Sequence, residues 1–454
     1  ILFILLSVVA LNVYAKQDSL KYRISLTDKA ETGYSLEHPE AFLSDKALAR
    51  RARQGLAVDS TDLPVCESYV QAIIKQKVTV VARGKWDNFV TVSCNDTTRI
   101  DRIAELPFVK SVEKVWSAPN KNKKKKEAKR DTLDNKPYWV ENPYGLAYAQ
   151  LRMCGGDRLH EAGFRGEGMT IAVMDAGFHN VDCIAAFDSI QIMGVKDFVG
   201  NSKSIYMEGD HGLKVLSCMA ANQPHAMIGT APKASYWLFR TEDEYSEHLL
   251  EQDYWAAAVE YADSVGVDVI NTSLGYNTFD DKSKNYRLRD LDGEFSLMSR
   301  QASRIADKGM VLLTSAGNAG QGSWKKITPP GDAHNVLTVG AVTDTRKLAN
   351  FSSVGNTSDN RIKPDVVAIG VLSRVIGTNG QPTAANGTSF ATPIVCGMVA
   401  CLWQARPELT AKQVIALVRQ SSDQADFPDN IFGYGVPDLW KAYESSVNES
   451  DFSY

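Results

Sequence analysis

Short apolar runs that end in polar, chemistry-bearing residues constrain the fold of this chain more than any other feature. Ile171-Ala172-Val173-Met174 runs into Asp175, Val267-Asp268-Val269-Ile270 into Asn271, and Met310-Val311-Leu312-Leu313 into Thr314 and Ser315. A strand without polar alternation is buried on both faces, which is the habit of parallel sheets covered by helices. From Thr170 onward such strands alternate with helical segments, so the expected architecture is α/β, with a mostly parallel sheet layered by helices. A carboxylate at the end of a buried parallel strand lies where open α/β sheets place their ligands and catalytic groups.

Asp175 has candidate partners. Asp210-His211-Gly212 opens an apolar helix from Leu213 to Ala221, and Gly387-Thr388-Ser389-Phe390-Ala391-Thr392-Pro393 leads into the apolar stretch Ile394 to Ala400. A serine at a helix start has a backbone N–H with no partner inside the helix and a hydroxyl at the positive end of the helix dipole. A nucleophile needs both where an oxyanion forms beside it. Each residue alone has a plainer reading: Asp175 as a strand-end cap, His211 as a loop tether, Gly-Thr-Ser as a capping turn. Together, in the order Asp, His, Ser, they match one arrangement of the serine triad. Asn318, in Ser315-Ala316-Gly317-Asn318, adds a side-chain amide donor for a developing oxyanion. Its plainer reading is a turn, because Asn and Gly tolerate positive φ.

On these motifs the chain resembles the subtilisin-like serine peptidases, the subtilase family, over roughly residues 145–445. Val173-Met174-Asp175-Ala176-Gly177 is similar to the aspartate motif, in which Ser or Thr more usually follows Asp. His211-Gly212-Leu213 is similar to the histidine motif, often His-Gly-Thr, and the serine motif has Phe390 where Met is usual. These departures leave all three catalytic side chains intact. The resemblance implies that Ser273-Leu274-Gly275 lines the substrate channel and pairs with extended peptide through main-chain hydrogen bonds. It also implies that Ala316 and Gly317 form one wall of the first specificity pocket. Ser before His within Gly-x-Ser-x-Gly, expected of a lipase or esterase, is absent. The remaining rival is a catalytically dead binding protein.

The front of the chain reads as a precursor. Residues 1–15 form an apolar run ending in Val13-Tyr14-Ala15, similar to a small-x-small cleavage site. The run is too short to span a bilayer and has the size of a signal-peptide core, so the protein is expected to be secreted or periplasmic, without a membrane anchor. Residues 16–120 read as a small α+β domain. Its strands are expected at Lys21–Leu26, 78–81, Phe89–Ser93 and Val109–Trp116, with Gly84 in the turn between the middle two. Its helices are expected after Ser44, over 64–76 and over 97–106. Its position resembles that of a subtilase propeptide, folding aid and inhibitor; an unrelated accessory domain is the alternative. Residues 121–144 begin with a lysine-rich run and read as a solvated linker carrying the maturation site. Residues 145–454 form the peptidase domain.

Net charge is −4 and no aromatic residue interleaves with the lysines, so a nucleic-acid partner is not expected. The expected partners are protein or peptide substrates and the chain's own propeptide. Seven cysteines are an odd number, so at least one thiol is unpaired or intermolecular. Cys218 and Cys396 each lie seven residues after a candidate catalytic residue and are expected as buried free thiols. Cys396 and Cys401 point to different faces of one helix. No His/Cys cluster has zinc spacing. No cofactor is expected to be required, and although calcium often binds subtilase loops, no ligand set for it is identified.

Overall fold

The computed structural model describes residues 20–117, 129–134, 136–200 and 202–445. The apolar run at 1–15 and most of the lysine run lie outside them. The N-terminal unit begins with β1 (Lys21–Leu26), in which Tyr22, Ile24 and Leu26 are buried and alternate with more open residues. Then comes α1 (Asp45–Arg53), capped by the Ser44 hydroxyl, which accepts the Ala47 N–H at 3.2 Å. α2 (Glu67–Ile74), β2 (Thr79–Gly84), β3 (Phe89–Ser93), α3 (Thr97–Ala104) and β4 (Val109–Trp116) complete it. The strands pair antiparallel in the order β2-β3-β1-β4. Gly84 closes β2 instead of sitting in the turn, because the Phe89 ring lies where its Cβ would be, 2.0 Å away. Val70 and Ile73 of α2 and Ile100 and Ile103 of α3 pack on Ile24, Val90 and Val92, giving this unit a core of its own.

The larger unit opens with α4 (Tyr148–Met153) and α5 (Gly156–Glu161). It continues through β5 (Thr170–Asp175), β6 (Gln191–Asp197), α6 (His211–Ala220), the ribbon β7 (Asn222–Gln223) and β8 (Met227–Ile228), and β9 (Ser235–Arg240). Next are α7 (Leu250–Ser264), β10 (Val269–Thr272), α8 (Leu297–Arg304), β11 (Val311–Ser315), β12 (Leu337–Val342) and β13 (Val366–Ile369). The hairpin β14 (Ser373–Ile376) and β15 (Pro382–Ala385) then precedes α9 (Thr388–Ala405), α10 (Ala411–Gln420) and α11 (Leu439–Glu444).

Seven parallel strands form one sheet in the order β13-β12-β11-β10-β5-β9-β6. Central β5 shows why its sequence lacks alternation. Ile171 and Val173 pack with Leu213 and Leu216 of α6 and Ile394 of α9, whereas Ala172 and Met174 pack with Trp255, Ala258 and Val259 of α7. Each large apolar side chain buried this way contributes about 1.5–3 kcal/mol, enough to offset the roughly 1–2 kcal/mol of backbone entropy lost per ordered residue. All seven cysteines are free thiols, with Cys218 and Cys396 buried on α6 and α9.

The second face of the four-stranded sheet lies on α7 and α8, where Phe89 meets Ala256 and Leu297. Buried charges cross this contact. Arg23 Nε donates to Asp253 Oδ1 at 2.7 Å, and Thr91 Oγ1 donates to the other oxygen of that carboxylate at 2.7 Å. Asp263 of α7 accepts from both Arg50 and Arg51, and Arg51 also pairs with Asp62 at 3.1 Å. Glu260 accepts the Lys85 and Trp86 backbone N–H groups at 2.5 and 2.9 Å. Removing one partner of such a pair strands a buried charge, which costs about 3–5 kcal/mol. Arg23→Ala is therefore expected to loosen the hold of residues 20–117 on the larger unit. Limited proteolysis of the uncleaved chain in urea should show its N-terminal unit opening at lower denaturant; an unchanged midpoint would mean that the pair contributes nothing to docking.

Candidate active site

The candidate residues converge at the carboxyl ends of three adjacent strands and the starts of two helices. Asp175 is the last residue of β5 and is fully buried. Its Oδ1 accepts the Ala176 N–H at 2.8 Å and lies 2.8 Å from His211 Nδ1. A carboxylate can only accept here, so in the neutral ring Nδ1 carries the proton and Nε2 is the acceptor. His211 is the first residue of α6, its side chain 32% exposed, with the Phe390 ring centroid 5.7 Å from its own. Arg240, at the end of neighbouring β9, donates from Nε to the Ala176 carbonyl at 2.9 Å and anchors the turn after Asp175.

Ser389 is the second residue of α9, so its N–H has no carbonyl to meet inside the helix. Its hydroxyl donates to the Ser273 carbonyl at 3.3 Å, a long bond that is readily exchanged. The helix begins at Thr388, so Ser389 stands at a helix start as its sequence context suggests, and Pro393 is accommodated within the helix. Proline lacks the N–H that would bind the carbonyl four residues back, which is that of Ser389. Ser273 Oγ donates to that carbonyl instead, at 2.9 Å, and Ser273 is itself held by Asn271 Nδ2 at 3.2 Å.

Asn318 follows β11. Its Oδ1 accepts the Thr388 N–H at 3.0 Å and the Thr388 hydroxyl at 3.1 Å, an arrangement that assigns the amide and leaves Nδ2 as a donor on the cleft side. The cleft holds about 460 Å³ and is lined by His211, Ser389 and Asn318 together with Ser273, Leu274, Gly275 and Gly317. Ala316 is not among its lining residues: its side chain is buried against Leu291 and Ile327, and it backs the wall that Gly317 presents. Asn318, Ser273 and Gly317 thus share one cleft with the Asp175–His211 pair and Ser389.

Among the cleft residues that sequence reasoning did not assign are Glu242, Glu244, Asn277 and Thr328. Glu242 and Glu244 line it from the segment just after β9. Their place just after a strand is visible in the sequence, but the pairing of that strand with β5, which brings them to the cleft, is not. Thr328 lines it from a loop between β11 and β12, and no pattern in the sequence points to it. Around His211, desolvation pulls the imidazole pKa down, but the Asp175 charge and hydrogen bond, with Glu242 and Asp210 adding, raise it to about 9. Burial, reinforced by Asp175, holds the Glu242 carboxyl above the usual carboxylate range.

The model of the subtilase family matches residues 166–435, and that of the Peptidase S8 propeptide domain, Bacteroidota, matches residues 21–131. The chain belongs to the subtilase family. This subtilase is 29% identical over 296 residues to Subtilisin NAT of Bacillus subtilis subsp. natto, covering 64% of this chain and 68% of that one. It is 28% identical over 275 residues to Subtilisin of Bacillus pumilus, covering 60% and 88% respectively. Among solved structures it is similar in fold to fervidolysin from Fervidobacterium pennivorans, a keratinolytic enzyme related to subtilisin. That match has a TM-score of 0.61 and 20% identity and covers 95% of this chain and 62% of that one. MycP1 from the ESX-1 type VII secretion system aligns with a TM-score of 0.54 and 21% identity over 71% of this chain and 91% of that one. The subtilase is a serine peptidase preceded by a propeptide domain, the organisation of a self-inhibited precursor.

Proposed function

We propose that this subtilase is an exported endopeptidase in which Ser389 attacks the peptide carbonyl. His211 takes the Ser389 proton through Nε2 and later delivers it to the leaving amine. Asp175 holds the Nδ1–H tautomer and stabilises the imidazolium. Asn318 Nδ2 and the Ser389 N–H bind the tetrahedral oxyanion. The observation that carries the reading is the 2.8 Å bond between His211 and Asp175 in a cleft that also presents Ser389 and Asn318. Substrate lies extended along Ser273-Leu274-Gly275. Every step uses the chain's own groups, so no cofactor is proposed. Among the described residues no group of three or more His, Cys, Asp or Glu side chains is placed to hold a metal ion.

Export rests on the apolar run at residues 1–15. Among the described residues one helix, α9, is long and apolar enough to cross a membrane, and 89% of it is buried in the core. Residues 16–120 act as inhibitor and are cut away by the enzyme itself between about 120 and 144. Within that region, Arg130 pairs with Asp182 at 2.6 Å and the Asp134 N–H donates to the Asn379 carbonyl at 2.9 Å, so a cut before Arg130 would leave the new N-terminal stretch held on the larger unit. An attached inhibitor works at an effective concentration in the millimolar range, so moderate intrinsic affinity keeps the nascent enzyme silent.

The test is to incubate purified precursor and then label it with a fluorophosphonate. Two fragments and stoichiometric labelling of Ser389 are expected. A chain that neither labels nor hydrolyses peptides would be a binding protein, and a 16–120 fragment that fails to inhibit in trans would be an accessory domain.

The charges around His211 give a further expected result. A general base works only when neutral, so kcat/KM of the mature enzyme should rise with pH along a limb displaced above the usual histidine value of about 6.5. Glu242→Gln removes a carboxyl that favours the imidazolium once it ionises, which its raised pKa of about 8 places on the alkaline side of neutrality. The upper part of the limb should therefore move to lower pH, while activity at neutral pH changes little. Superimposable pH profiles for wild type and variant would show that Glu242 does not act on His211.

A further inference from the structure

Residues 130–134 cross two segments that lead to the catalytic groups. One is segment 176–183, which continues directly from Asp175. The other is the tip of the hairpin β14–β15, whose second strand runs on through Asn386 and Gly387 to Ser389. On the first, the Arg130 guanidinium holds the Asp182 carboxylate by two bonds of 2.7 and 2.6 Å, and the Asp131 N–H donates to His179 Nε2 at 3.2 Å. On the second, the Asp134 N–H donates to the Asn379 carbonyl at 2.9 Å. Gln381 Nε2 donates to the carbonyls of Asp134 and Lys136, the latter at 3.0 Å. Fully buried Asn180 joins all three pieces, its Nδ2 donating to the Asp131 carbonyl at 3.0 Å and to the Thr378 carbonyl at 2.9 Å. Leu133 packs on the apolar cluster that contains Ile184 of the first segment and Ile376 of the hairpin.

The hairpin needs such a hold, because a two-stranded ribbon is marginally stable by itself in water. Its first strand is anchored: the Ile376 N–H donates to Ser217 Oγ of α6 at 2.9 Å, and the Gln150 amide exchanges bonds of 3.1 and 2.8 Å with the Arg374 backbone. Its second strand, β15, pairs with β14 alone, and Thr383 and Ala384 are exposed. Only Asn386, Gly387 and Thr388 separate the end of β15 from Ser389, so a shift of the tip runs along the strand towards the nucleophile. Segment 176–183 is equally close to the other two catalytic residues. It continues from Asp175, and a Cβ at Gly212, next to His211, would lie 2.3 Å from the Gly177 carbonyl.

We infer that residues 130–134 belong to the working peptidase, as a strap that keeps the hairpin before Ser389 in fixed relation to the loop after Asp175, with Gln381 and Asn180 as positioning residues. The inference rests on the peptidase reading above. It places the maturation cut on the amino side of Arg130, because an enzyme cut beyond Lys136 keeps its triad and loses the strap. A misplacement of about 1 Å at the reacting groups costs on the order of 10²-fold in rate. Among the described residues the strap makes no hydrogen bond to Ser273, Leu274, Gly275 or Gly317, so its loss falls on kcat and spares KM.

The experiment labels self-cleaved wild-type enzyme with a fluorophosphonate and reads the amino terminus of the labelled chain by mass spectrometry. That chain is expected to begin at or before Arg130; a fully active labelled chain that begins after Lys136 overturns this inference alone. Wild type, Gln381→Ala and Gln381→Arg are then compared on a peptide p-nitroanilide, with rates counted per labelled site. Gln381→Ala removes both side-chain bonds to the strap, while the bond of 2.9 Å from the Gly377 N–H to the residue-381 carbonyl still closes the hairpin turn. Its kcat is expected to fall by about 10-fold, a part of the misplacement penalty, with KM nearly unchanged. Gln381→Arg still offers N–H donors to the two carbonyls and should retain most of the wild-type kcat. A merely structural role would lower the melting temperature and the labelled fraction of Gln381→Ala while kcat per labelled site held. That result overturns the inference, as does a loss confined to KM. If Gln381→Ala fails to fold, Gln381→Glu, which keeps the length and loses the donor, takes its place, and the amino terminus of wild type decides independently. A wild-type protein that neither labels nor cleaves overturns the peptidase reading and this inference with it.

Discussion

Ser389→Ala is expected to abolish peptide hydrolysis, with a loss of about 10⁶-fold in kcat, the size of the effect when subtilisin loses its serine. It should do so without unfolding the protein. The Ser389 hydroxyl makes one long bond, 3.3 Å to the Ser273 carbonyl, and its removal leaves the start of α9 held by other groups. The Ser273 hydroxyl still donates to the residue-389 carbonyl, and Thr388 still meets Asn318. A stability change of no more than about 1 kcal/mol follows from losing one such hydrogen bond. The purified variant precursor should persist as one chain while wild type yields two fragments. Retention of more than a few per cent of wild-type hydrolysis, with folding intact, would remove Ser389 from the role of nucleophile.

Asn318→Ala should lower kcat by about 10²–10³ with KM nearly unchanged, because an oxyanion donor meets full charge only in the transition state. The geometry adds a complication that the choice of variants resolves. Asn318 Oδ1 accepts two hydrogen bonds from Thr388 at the first turn of α9, so alanine also removes a helix cap, at about 0.5–2 kcal/mol. Asn318→Asp retains the acceptor and replaces the donor with a second oxygen. It should keep a thermal midpoint nearer to wild type and lose at least as much kcat as the alanine variant. A rise in KM with kcat preserved in either variant would make Asn318 a ground-state binding residue.

Most of the scaffold was legible because its signals are local. Ser44 before a helix, alternate apolar residues in Lys21–Leu26 and unbroken apolar runs at Ile171 and Met310 each follow from hydrogen-bond satisfaction and burial within a few residues. The residues at strand ends and helix starts that converge on the cleft were legible for the same reason, and their types restricted the chemistry. What escaped were contacts made across the fold. The donor that replaces the missing N–H of Pro393 comes from Ser273, far away in sequence, and nothing in the residues of α9 announces it. Glu242 and Glu244 come to the cleft only because β9 pairs with β5. Thr328 comes to the cleft by lying against Gly275 and Gly317 on other segments, and Ala316, read as a wall, is turned away into an apolar cluster.

The exchange at Pro393 also bears on how this molecule tolerates change. A nucleophile at the start of a helix would ordinarily inherit every shift of that helix along its axis. Here the carbonyl of Ser389 is fastened to the residue that follows β10, so the sheet serves as the surveyor's datum for the attacking oxygen. The remainder of α9, from Ile394 through Met398 and Cys401 to Trp403, is then free to settle differently against α6 and the sheet. Substitutions there should erode melting temperature while turnover per folded molecule holds, whereas Ser273→Ala, at the fastening itself, should slow turnover in a protein that remains well folded.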